Sequence, residues 1–143
     1  MDKLVIRGGN PLQGDVKISG AKNAVLPIMA SSLLVDGITV IRNVPDLRDT
    51  KTFIKLLEIL GAKCVLDGST LSVDASDINS LEAPYDLVKT MRASFYVMGP
   101  LLGRFGETKV SLPGGCAWGP RPVDYHLKGF EKLGASIDLN QGY

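Results

Sequence analysis

The chain has 143 residues, of which 45% are hydrophobic and 22% charged, and this composition predicts a folded domain with one ordinary core. Sixteen basic and fifteen acidic residues give a net charge of +1, which excludes an overall electrostatic attraction to nucleic acid or to an anionic membrane. Any binding site for an anion must therefore be local.

The longest apolar run near the N-terminus, residues 24–35, is too short to span a bilayer and lacks the flanks of a signal peptide. We therefore expect a cytoplasmic protein with no membrane partner. The two cysteines, Cys64 and Cys116, lack the spacing of a disulfide framework or a metal site. Both are predicted to be reduced thiols, with Cys64 acting as a small core residue.

Two short strands are predicted first, at residues 4–7 and 16–19, separated by a turn-rich stretch. A buried helix is predicted next, over residues 24–35, with Pro27 in its first turn, where a missing N–H costs little. Residues 38–44 are rich in β-branched side chains and predict a strand.

An amphipathic helix follows, which we expect to be capped by a residue between Asp46 and Asp49 and to end at Gly61. One of its faces is apolar and consists of Phe53, Leu56, Leu57 and Leu60. Strands at residues 63–66 and 70–74 bracket an Asp-Gly pair, which predicts a hairpin.

The second half of the chain repeats the first. Met29 matches Met98 at an offset of 69, and Gly61 later matches Gly134 at an offset of 73. Four residues have therefore been inserted between the two matches, and they fall in the glycine-rich loop at residues 114–119. A loop that has gained glycines and a thiol favours a functional role.

Candidate functional residues stand at that loop and at the predicted helix starts. The loop presents Cys116, and Arg121 lies just before the next helix, while the repeat places Lys22, Asn23 and Arg92 at equivalent helix N-termini. Unpaired N–H groups and the helix dipole favour an anion there. The alternatives are an ordinary surface cysteine, an N-capping asparagine and solvated charges.

Four segments together resemble the UDP-N-acetylglucosamine enolpyruvyl transferase family: SGAKNA at 19–24, PYDLVKTMRAS at 84–94, LPGGC at 112–116 and GPRPVD at 119–124. The resemblance runs along the whole chain. It implies an α/β (α+β) fold of repeated β-α-β-α-β-β units, three to a domain, with the substrate cleft between two domains.

On this resemblance, residues 1–20 are strands of the domain boundary or of a second domain, and residues 21–143 are two repeats of the first domain. A third repeat, most of the second domain and the family's aspartate base are absent. We therefore expect an N-terminal fragment that is inactive alone and that self-associates through uncovered apolar faces.

The resemblance also implies the reaction and its residues. The enolpyruvyl group of phosphoenolpyruvate moves to the 3-hydroxyl of UDP-N-acetylglucosamine and phosphate leaves, without a metal or a cofactor. Cys116 is implied as proton donor, as the site of a covalent adduct and as the target of fosfomycin, and Lys22 as a second catalytic residue. Phosphoenolpyruvate is assigned to Lys22, Asn23, Cys116 and Arg121, and the nucleotide sugar to Arg92, Arg121, Pro122, Val123, Asp124 and Tyr125.

Two other functions stay open on sequence grounds. The sister transferase that acts on shikimate 3-phosphate shares the fold, but it does not rely on a loop cysteine such as Cys116. A non-catalytic module that binds anions or nucleotide sugars would need only the helix N-termini, so the reactivity of the thiol distinguishes it. Nucleotide-binding G-x-G-x-x-G and P-loop motifs do not occur. The only histidine, His126, is predicted to be a cap or surface residue.

Overall fold

A computed structural model of the chain describes residues 3–89, 91–112, 123–140 and 142–143. Three of the sequence-predicted site residues, Cys116, Arg121 and Pro122, lie outside the described residues. The elements in chain order are α1 (Lys22–Ser31), a first 3-10 helix (Ser32–Leu34), β1 (Ile38–Ile41), α2 (Arg48–Ile59), β2 (Lys63–Asp67), β3 (Thr70–Asp74), β4 (Glu82–Ala83), α3 (Tyr85–Val88), a second 3-10 helix (Arg92–Val97), α4 (Met98–Phe105), β5 (Lys109–Val110) and α5 (Asp124–Lys132).

Strand β3 lies at the centre of a three-stranded antiparallel sheet, with β1 on one side and β2 on the other. Its alternate side chains Leu71 and Val73 face the core and are fully buried. The predicted hairpin is confirmed, although Asp67 pairs with Thr70, so the loop consists of residues 68–69 and lies one residue later than expected. A second, two-stranded sheet pairs β4 with β5 in parallel.

Helix α2 packs against β2 through the apolar face predicted from the sequence. The four predicted side chains, Phe53, Leu56, Leu57 and Leu60, are all fully buried. Burial of each such side chain contributes on the order of 1.5–3 kcal/mol. This helix and β3 therefore form much of the core.

The start of α2 differs from the prediction. Its N-cap is Leu47, and no side chain caps the helix. The two expected capping carboxylates form ion pairs instead, Asp46 with Lys51 at 2.7 Å and Asp49 with Lys22 at 3.0 Å. Both lysines offer a charged partner, which competes with the backbone N–H groups for the carboxylates.

Helix α1 begins at Lys22, two residues before the predicted start at Ala24. Pro27 is therefore the sixth helical residue, beyond the first turn, and its missing N–H leaves the carbonyl of Asn23 without the usual intrahelical donor. One face of the helix is packed in the core, and tertiary packing outweighs this local cost. The opposite face is open and about half of Ile28 is exposed, so the helix is buried on one face only, whereas the sequence predicted a helix buried as a whole.

The internal repeat is confirmed by the order and packing of the elements. Positions 69 apart relate β1 to β5, and positions 73 apart relate α2 to α5. Helix α1 packs against the second 3-10 helix, and the first 3-10 helix packs against α4. Each helical segment consists of two consecutive helices, α1 and the first 3-10 helix in one repeat, and the second 3-10 helix and α4 in the other. Since the first helices of the two segments contact each other, and so do the second helices, the two segments run in the same direction. Their N-termini therefore lie at the same end.

Arg104 of α4 connects the two repeats at the opposite end. Its guanidinium donates hydrogen bonds to the carbonyls of Leu33, Val35 and Ala75 at 3.0, 3.1 and 2.8 Å. It also pairs with Asp36 at 3.0 Å, and only 16% of the arginine side chain is exposed. The end of the first helical segment is thus held by a side chain of the second.

Helices α2 and α5 end in the same cap, which is a further mark of the repeat. Gly61 and Gly134 follow the two helices with φ angles of +108° and +96°, a region that favours glycine. After α2, the N–H of Gly61 donates to the carbonyl of Glu58 and the N–H of Ala62 to the carbonyl of Leu57. After α5, the N–H of Gly134 donates to the carbonyl of Glu131 and the N–H of Ala135 to the carbonyl of Phe130. Both sets match the Schellman motif.

The two strands predicted at residues 4–7 and 16–19 are absent. Residues 3–20 contain no strand or helix, and Leu4 and Ile6 are almost fully exposed. A strand needs a neighbour to bond its backbone groups, and none lies beside this stretch in the part of the chain that the structure describes. The assignment of these residues to the domain boundary or to a second domain stays a prediction.

No helix among the described residues has both the length and the apolar character needed to cross a bilayer. The same residues contain no group of histidine, cysteine and carboxylate side chains that could hold a metal ion.

Candidate functional site

Lys22 is the first residue of α1, and Ala21 is its N-cap. Asn23 is therefore the second helical residue, which rules out its interpretation as an N-cap. The Lys22 ammonium lies 3.0 Å from Asp49 Oδ2, and about half of the lysine side chain is exposed. This ion pair joins the first turn of α1 to the first turn of α2.

Gly20 allows this approach, because its backbone lies directly on the loop that precedes α2. A Cβ atom at Gly20 would lie 2.0 Å from the carbonyl oxygen of Asn43 and 3.2 Å from Pro45. Asn43 itself has a φ of +58°, a left-handed conformation that asparagine tolerates better than most residues. The glycine of the SGAKNA segment therefore fixes how Lys22 meets α2.

Arg92 begins the second 3-10 helix, which packs against α1. Its side chain is exposed, and the shared direction of the two helical segments puts it at the same end of the molecule as Lys22. The predicted equivalence of these two helix starts is thus seen in the packing. Arginine suits phosphate and carboxylate because its planar guanidinium can donate two parallel hydrogen bonds.

Helix α5 begins beside the second 3-10 helix. The ring of His126 lies 6.0 Å from the ring of Phe95, which brings the α5 N-terminus towards the helix that starts at Arg92. Val123 is buried as the N-cap residue, while Tyr125 is largely exposed. His126 is an exposed surface residue, as predicted.

Asp124 is the first residue of α5 and has two different carboxylate oxygens. Oδ2 lies 3.5 Å from the ammonium of Lys128, one helical turn away. Oδ1 is buried and has no hydrogen-bond partner among the described residues. A buried acceptor without a donor is costly, so this oxygen is suited to accept a hydrogen bond from a further group.

The helical segments that start at Lys22 and Arg92 begin at the same end of the molecule, and α5 begins beside the second 3-10 helix, where His126 contacts Phe95. Asn23, Val123, Asp124 and Tyr125 lie at the starts of α1 and α5, while Cys116, Arg121 and Pro122 lie outside the described residues. Sequence reasoning missed the position of Asp49 beside Lys22, because the carboxylate was interpreted as a helix cap. Such an arrangement of cations and unpaired N–H groups can bind an anion with a hydroxylated partner beside it.

Cys64 lies in β2, away from these helix starts, and packs against the core. Burial, followed by the nearby charge of Glu58, raises the pKa of its thiol to about 12. The thiolate is the reactive form, so this cysteine is chemically quiet at neutral pH. Its interpretation as a core residue is consistent with this environment.

Comparisons with known proteins bear on the whole chain. A family model described as EPSP synthase (3-phosphoshikimate 1-carboxyvinyltransferase) matches residues 6–143. Curated proteins named UDP-N-acetylglucosamine 1-carboxyvinyltransferase are 61% identical in Chloroherpeton thalassium, 58% in Chlorobaculum parvum and 57% in Desulfatibacillum aliphaticivorans. Each alignment covers the entire chain but only 34% of the relative, so the chain spans about a third of their length.

A solved structure shares the fold. The crystal structure of the enolpyruvyl transferase NikO from Streptomyces tendae superposes with a TM-score of 0.76 and 29% sequence identity. The match covers 93% of this chain and 29% of that protein. The predicted fold class, helices and strands of an enolpyruvyl transferase, is confirmed.

Proposed function

Because the chain belongs to the EPSP synthase family of enolpyruvyl transferases, we propose that it is part of a UDP-N-acetylglucosamine 1-carboxyvinyltransferase. In this proposal the enolpyruvyl group of phosphoenolpyruvate passes to the sugar 3-hydroxyl, the first committed step of peptidoglycan synthesis. One observation carries it, namely the identity of 57–61% with proteins of that name over the full chain.

Phosphoenolpyruvate is assigned to the start of α1. Lys22 supplies a cation and Asn23 an amide at a helix N-terminus, where the helix dipole and unpaired N–H groups favour phosphate. Arg121 and Cys116 complete this half of the proposed site from the glycine-rich loop. Asp49 holds the Lys22 ammonium in place until phosphate competes for it.

UDP-N-acetylglucosamine is assigned to Arg92 and to residues 121–125. Arg92 offers its guanidinium to the diphosphate, at the end of the molecule where Lys22 also lies. The unpaired Oδ1 atom of Asp124 supports a hydrogen bond from a hydroxyl or N–H group of this substrate. Tyr125 is exposed enough to pack against a nucleotide ring.

The chemistry requires an acid and a set of cations. As the sugar oxygen adds to C2 of the enol, its hydroxyl proton passes to a general base of the complete protein and Cys116 gives its proton to C3. Phosphate then leaves C2 of the resulting intermediate while C3 loses one proton, which restores the double bond of the enolpyruvyl group. Lys22 and Arg121 stabilise the phosphate charge. The proposal includes fosfomycin as a covalent ligand of Cys116 and a cytoplasmic location.

A chimera tests this function directly. We would replace the first third of the Chloroherpeton thalassium relative with this chain, since the two are 61% identical, and measure phosphate release with UDP-N-acetylglucosamine and phosphoenolpyruvate. Steady turnover that depends on both substrates is expected. If the folded chimera instead uses shikimate 3-phosphate, the chain is part of the sister transferase and the proposed substrate is wrong.

Variants of the chimera test the residue roles. Lys22→Ala and Arg92→Ala should each reduce kcat/KM by more than the roughly fivefold that corresponds to an ion pair of about 1 kcal/mol at the surface. Lys132→Ala, at the far end of α5, is the matched control and should leave kcat/KM unchanged. If all three variants reduce kcat/KM by the same small factor, Lys22 and Arg92 are solvated surface charges with no role in binding.

The second candidate function is a non-catalytic module that binds anions. The helix N-termini alone would suffice for it, and Cys116 would be incidental. The 143-residue chain by itself should show no turnover and weak nucleotide-sugar binding, because one side of the site is open to water and each contact is screened. Tight calorimetric binding by the isolated chain, with an inactive chimera, would favour the module.

A further inference from the structure

The ion pair between Lys22 and Asp49 joins the first turns of two helices. Lys22 is the first residue of α1 and Asp49 is the second residue of α2, and the ammonium lies 3.0 Å from Asp49 Oδ2. The exposed fractions of the two side chains are 51% and 34%, respectively. An ammonium has three N–H donors, so an anion can contact Lys22 while Asp49 stays beside it.

The core holds the backbone on both sides of this pair. Thr50 and Phe53 of α2 are buried, and so are Val25 and Leu26 of α1. The two helices pack against each other, and the side chain of an aspartate is short. The carboxylate of Asp49 therefore cannot move far from the place where the Lys22 ammonium would contact an anion.

The repeated fold does not require an ion pair at this place. The residue equivalent to Lys22 is Met91, at an offset of 69, and the residue equivalent to Asp49 is Pro122, at an offset of 73. Met91 is buried in the core, so the second repeat packs without a lysine at this position. The packing that the two repeats share therefore does not account for the two charges.

A carboxylate at this distance weakens the binding of any anion to Lys22. A phosphate oxygen that accepts a hydrogen bond from an ammonium lies about 2.8 Å from the nitrogen. Since the nitrogen lies 3.0 Å from Asp49 Oδ2, the two oxygens are no more than about 6 Å apart. Two like unit charges at about 6 Å repel each other enough to reduce binding about threefold even at the dielectric constant of water. The repulsion is stronger where less water separates them.

We propose that Asp49 is a positioning residue that acts through Lys22 and limits how tightly the start of α1 holds phosphate. This inference rests on the proposed function, which assigns phosphoenolpyruvate to Lys22. In that reaction the phosphate group arrives as part of the substrate and leaves from the same place as free phosphate. A lysine without a neighbouring carboxylate would hold the product more tightly, whereas Asp49 repels it and binds the ammonium again once it has left.

Asp49→Asn in the chimera described above tests this role. Asparagine has the same shape and keeps a carbonyl oxygen that can accept a hydrogen bond from Lys22, but it carries no charge. Inorganic phosphate is titrated into the folded chimera by calorimetry, without the second substrate. At an ionic strength of about 0.01 M, the dissociation constant of phosphate should be at least about threefold lower in the variant. At about 1 M, where the Debye length is about 3 Å, the difference should largely disappear.

Two further variants show where phosphate binds and whether the effect is local. Lys22→Ala should weaken phosphate binding, because it removes the cation on which the proposal depends. Asp77→Asn is the matched control, since Asp77 also pairs with a lysine, Lys63, at 2.9 Å. Lys63 follows the C-terminal end of α2, a helix of 12 residues that is about 18 Å long, so this pair is remote from Lys22. Asp77→Asn should therefore leave phosphate binding unchanged.

The proposal is overturned if Asp49→Asn binds phosphate as the unaltered chimera does, or more weakly. A gain that persists at about 1 M ionic strength also overturns it, because a change in packing rather than in charge would then be the cause. An equal gain in Asp77→Asn would show that net charge alone explains the effect, and unchanged binding in Lys22→Ala would show that phosphate binds elsewhere. Either result contradicts the role of Asp49.

The titrations with inorganic phosphate need no turnover. A folded chimera without transferase activity would therefore contradict the proposed function, while the role of Asp49 would still be decided by the dissociation constants of the variants.

Discussion

Helices α2 and α5 occupy equivalent places in the two repeats and end in the same cap, yet they are packed differently. Three large apolar side chains of α2 are fully buried, whereas none of the nine residues of α5 is. After the helices, Leu60 has no exposed surface and Leu133 is 85% exposed. The first repeat contains β3, whose side chains Leu71 and Val73 pack on the core. The described residues of the second repeat contain no equivalent strand. An amphipathic helix therefore supplies half of a core, and the returning strand supplies the other half.

The difference should be largest in the chemistry of the two thiols. Burial raises the pKa of Cys64 in the first repeat from 9.0 to about 12, so at pH 8 it should react with iodoacetamide roughly a thousandfold more slowly than an unburied thiol. Cys116, in the loop of the second repeat, should react first. Peptide mapping after limited alkylation measures both rates.

Unfolding in urea provides the control, since the two cysteines should then react at similar rates. Preferential labelling of Cys64 in the folded chain would contradict the prediction. The raised pKa of Cys64 also predicts that the folded state becomes less stable as the pH rises. The contribution of this thiol is complete below about pH 9 and is lost as the pH rises towards 12, because only the unfolded state ionises in that range.

The next largest effect is expected at a matched pair of leucines. Leu60→Ala removes a fully buried side chain and should lower the free energy of unfolding by about 2–5 kcal/mol. Leu133→Ala removes an exposed side chain at the equivalent position and should change it by less than about 0.5 kcal/mol. Urea unfolding of both variants decides the matter. Equal losses would mean that the second repeat has a core like the first.

A smaller contrast is expected at the two capping glycines. Gly134→Ala should cost about 1–2 kcal/mol, because alanine is strained at a φ of +96° but its Cβ would meet no atom within 4 Å. Gly61→Ala should cost more, since its Cβ would lie 2.6 Å from the carbonyl oxygen of Asp77. Thermal unfolding compares the two, and an equal shift would show that the backbone near Asp77 yields to the methyl group.

The smallest effect is expected at the ion pair between α1 and α2. Asp49→Asn should lower stability by less than about 1 kcal/mol, because both side chains are partly exposed and salt screens the pair. The more exposed Asp46, which pairs with Lys51, serves as the matched control in Asp46→Asn. The second repeat has Met91 in place of Lys22 and lacks this pair. A large loss of stability in Asp49→Asn, without one in Asp46→Asn, would show that the ion pair of Lys22 with Asp49 stabilises the fold more than expected.

Much of the first repeat could be predicted because its signals are local. The apolar face that includes Phe53 and Leu57 and the turn of the β2–β3 hairpin depend on residues close in sequence. The strands predicted at residues 4–7 and 16–19 do not form in this structure, because a strand depends on a pairing partner that a short run of residues does not reveal. The start of α1 was misplaced because Pro27 is tolerated further into the helix than its local cost suggests.

The candidate site was predictable only where the repeat could be used. Matching the two halves placed Lys22 and Arg92 at equivalent helix starts, and the packing of these helices agrees. The ion pair between Lys22 and Asp49 could not be predicted, because it depends on how Gly20 lies against the loop before α2. The spacing of residues along the sequence does not indicate that Gly20 contacts this loop. The roles of these residues in binding stay predictions.

The guanidinium of Arg104 has a consequence for how the chain unfolds. Its three carbonyl partners belong to the first repeat, while the arginine belongs to the second. Opening either repeat would separate the largely buried guanidinium from all three carbonyls, so a partly opened state is penalised. The two halves should therefore melt as a single cooperative unit, with one transition seen by probes in either half. Two halves with matching positions are thus joined by a residue without a counterpart, since position 35, which is 69 before Arg104, holds valine.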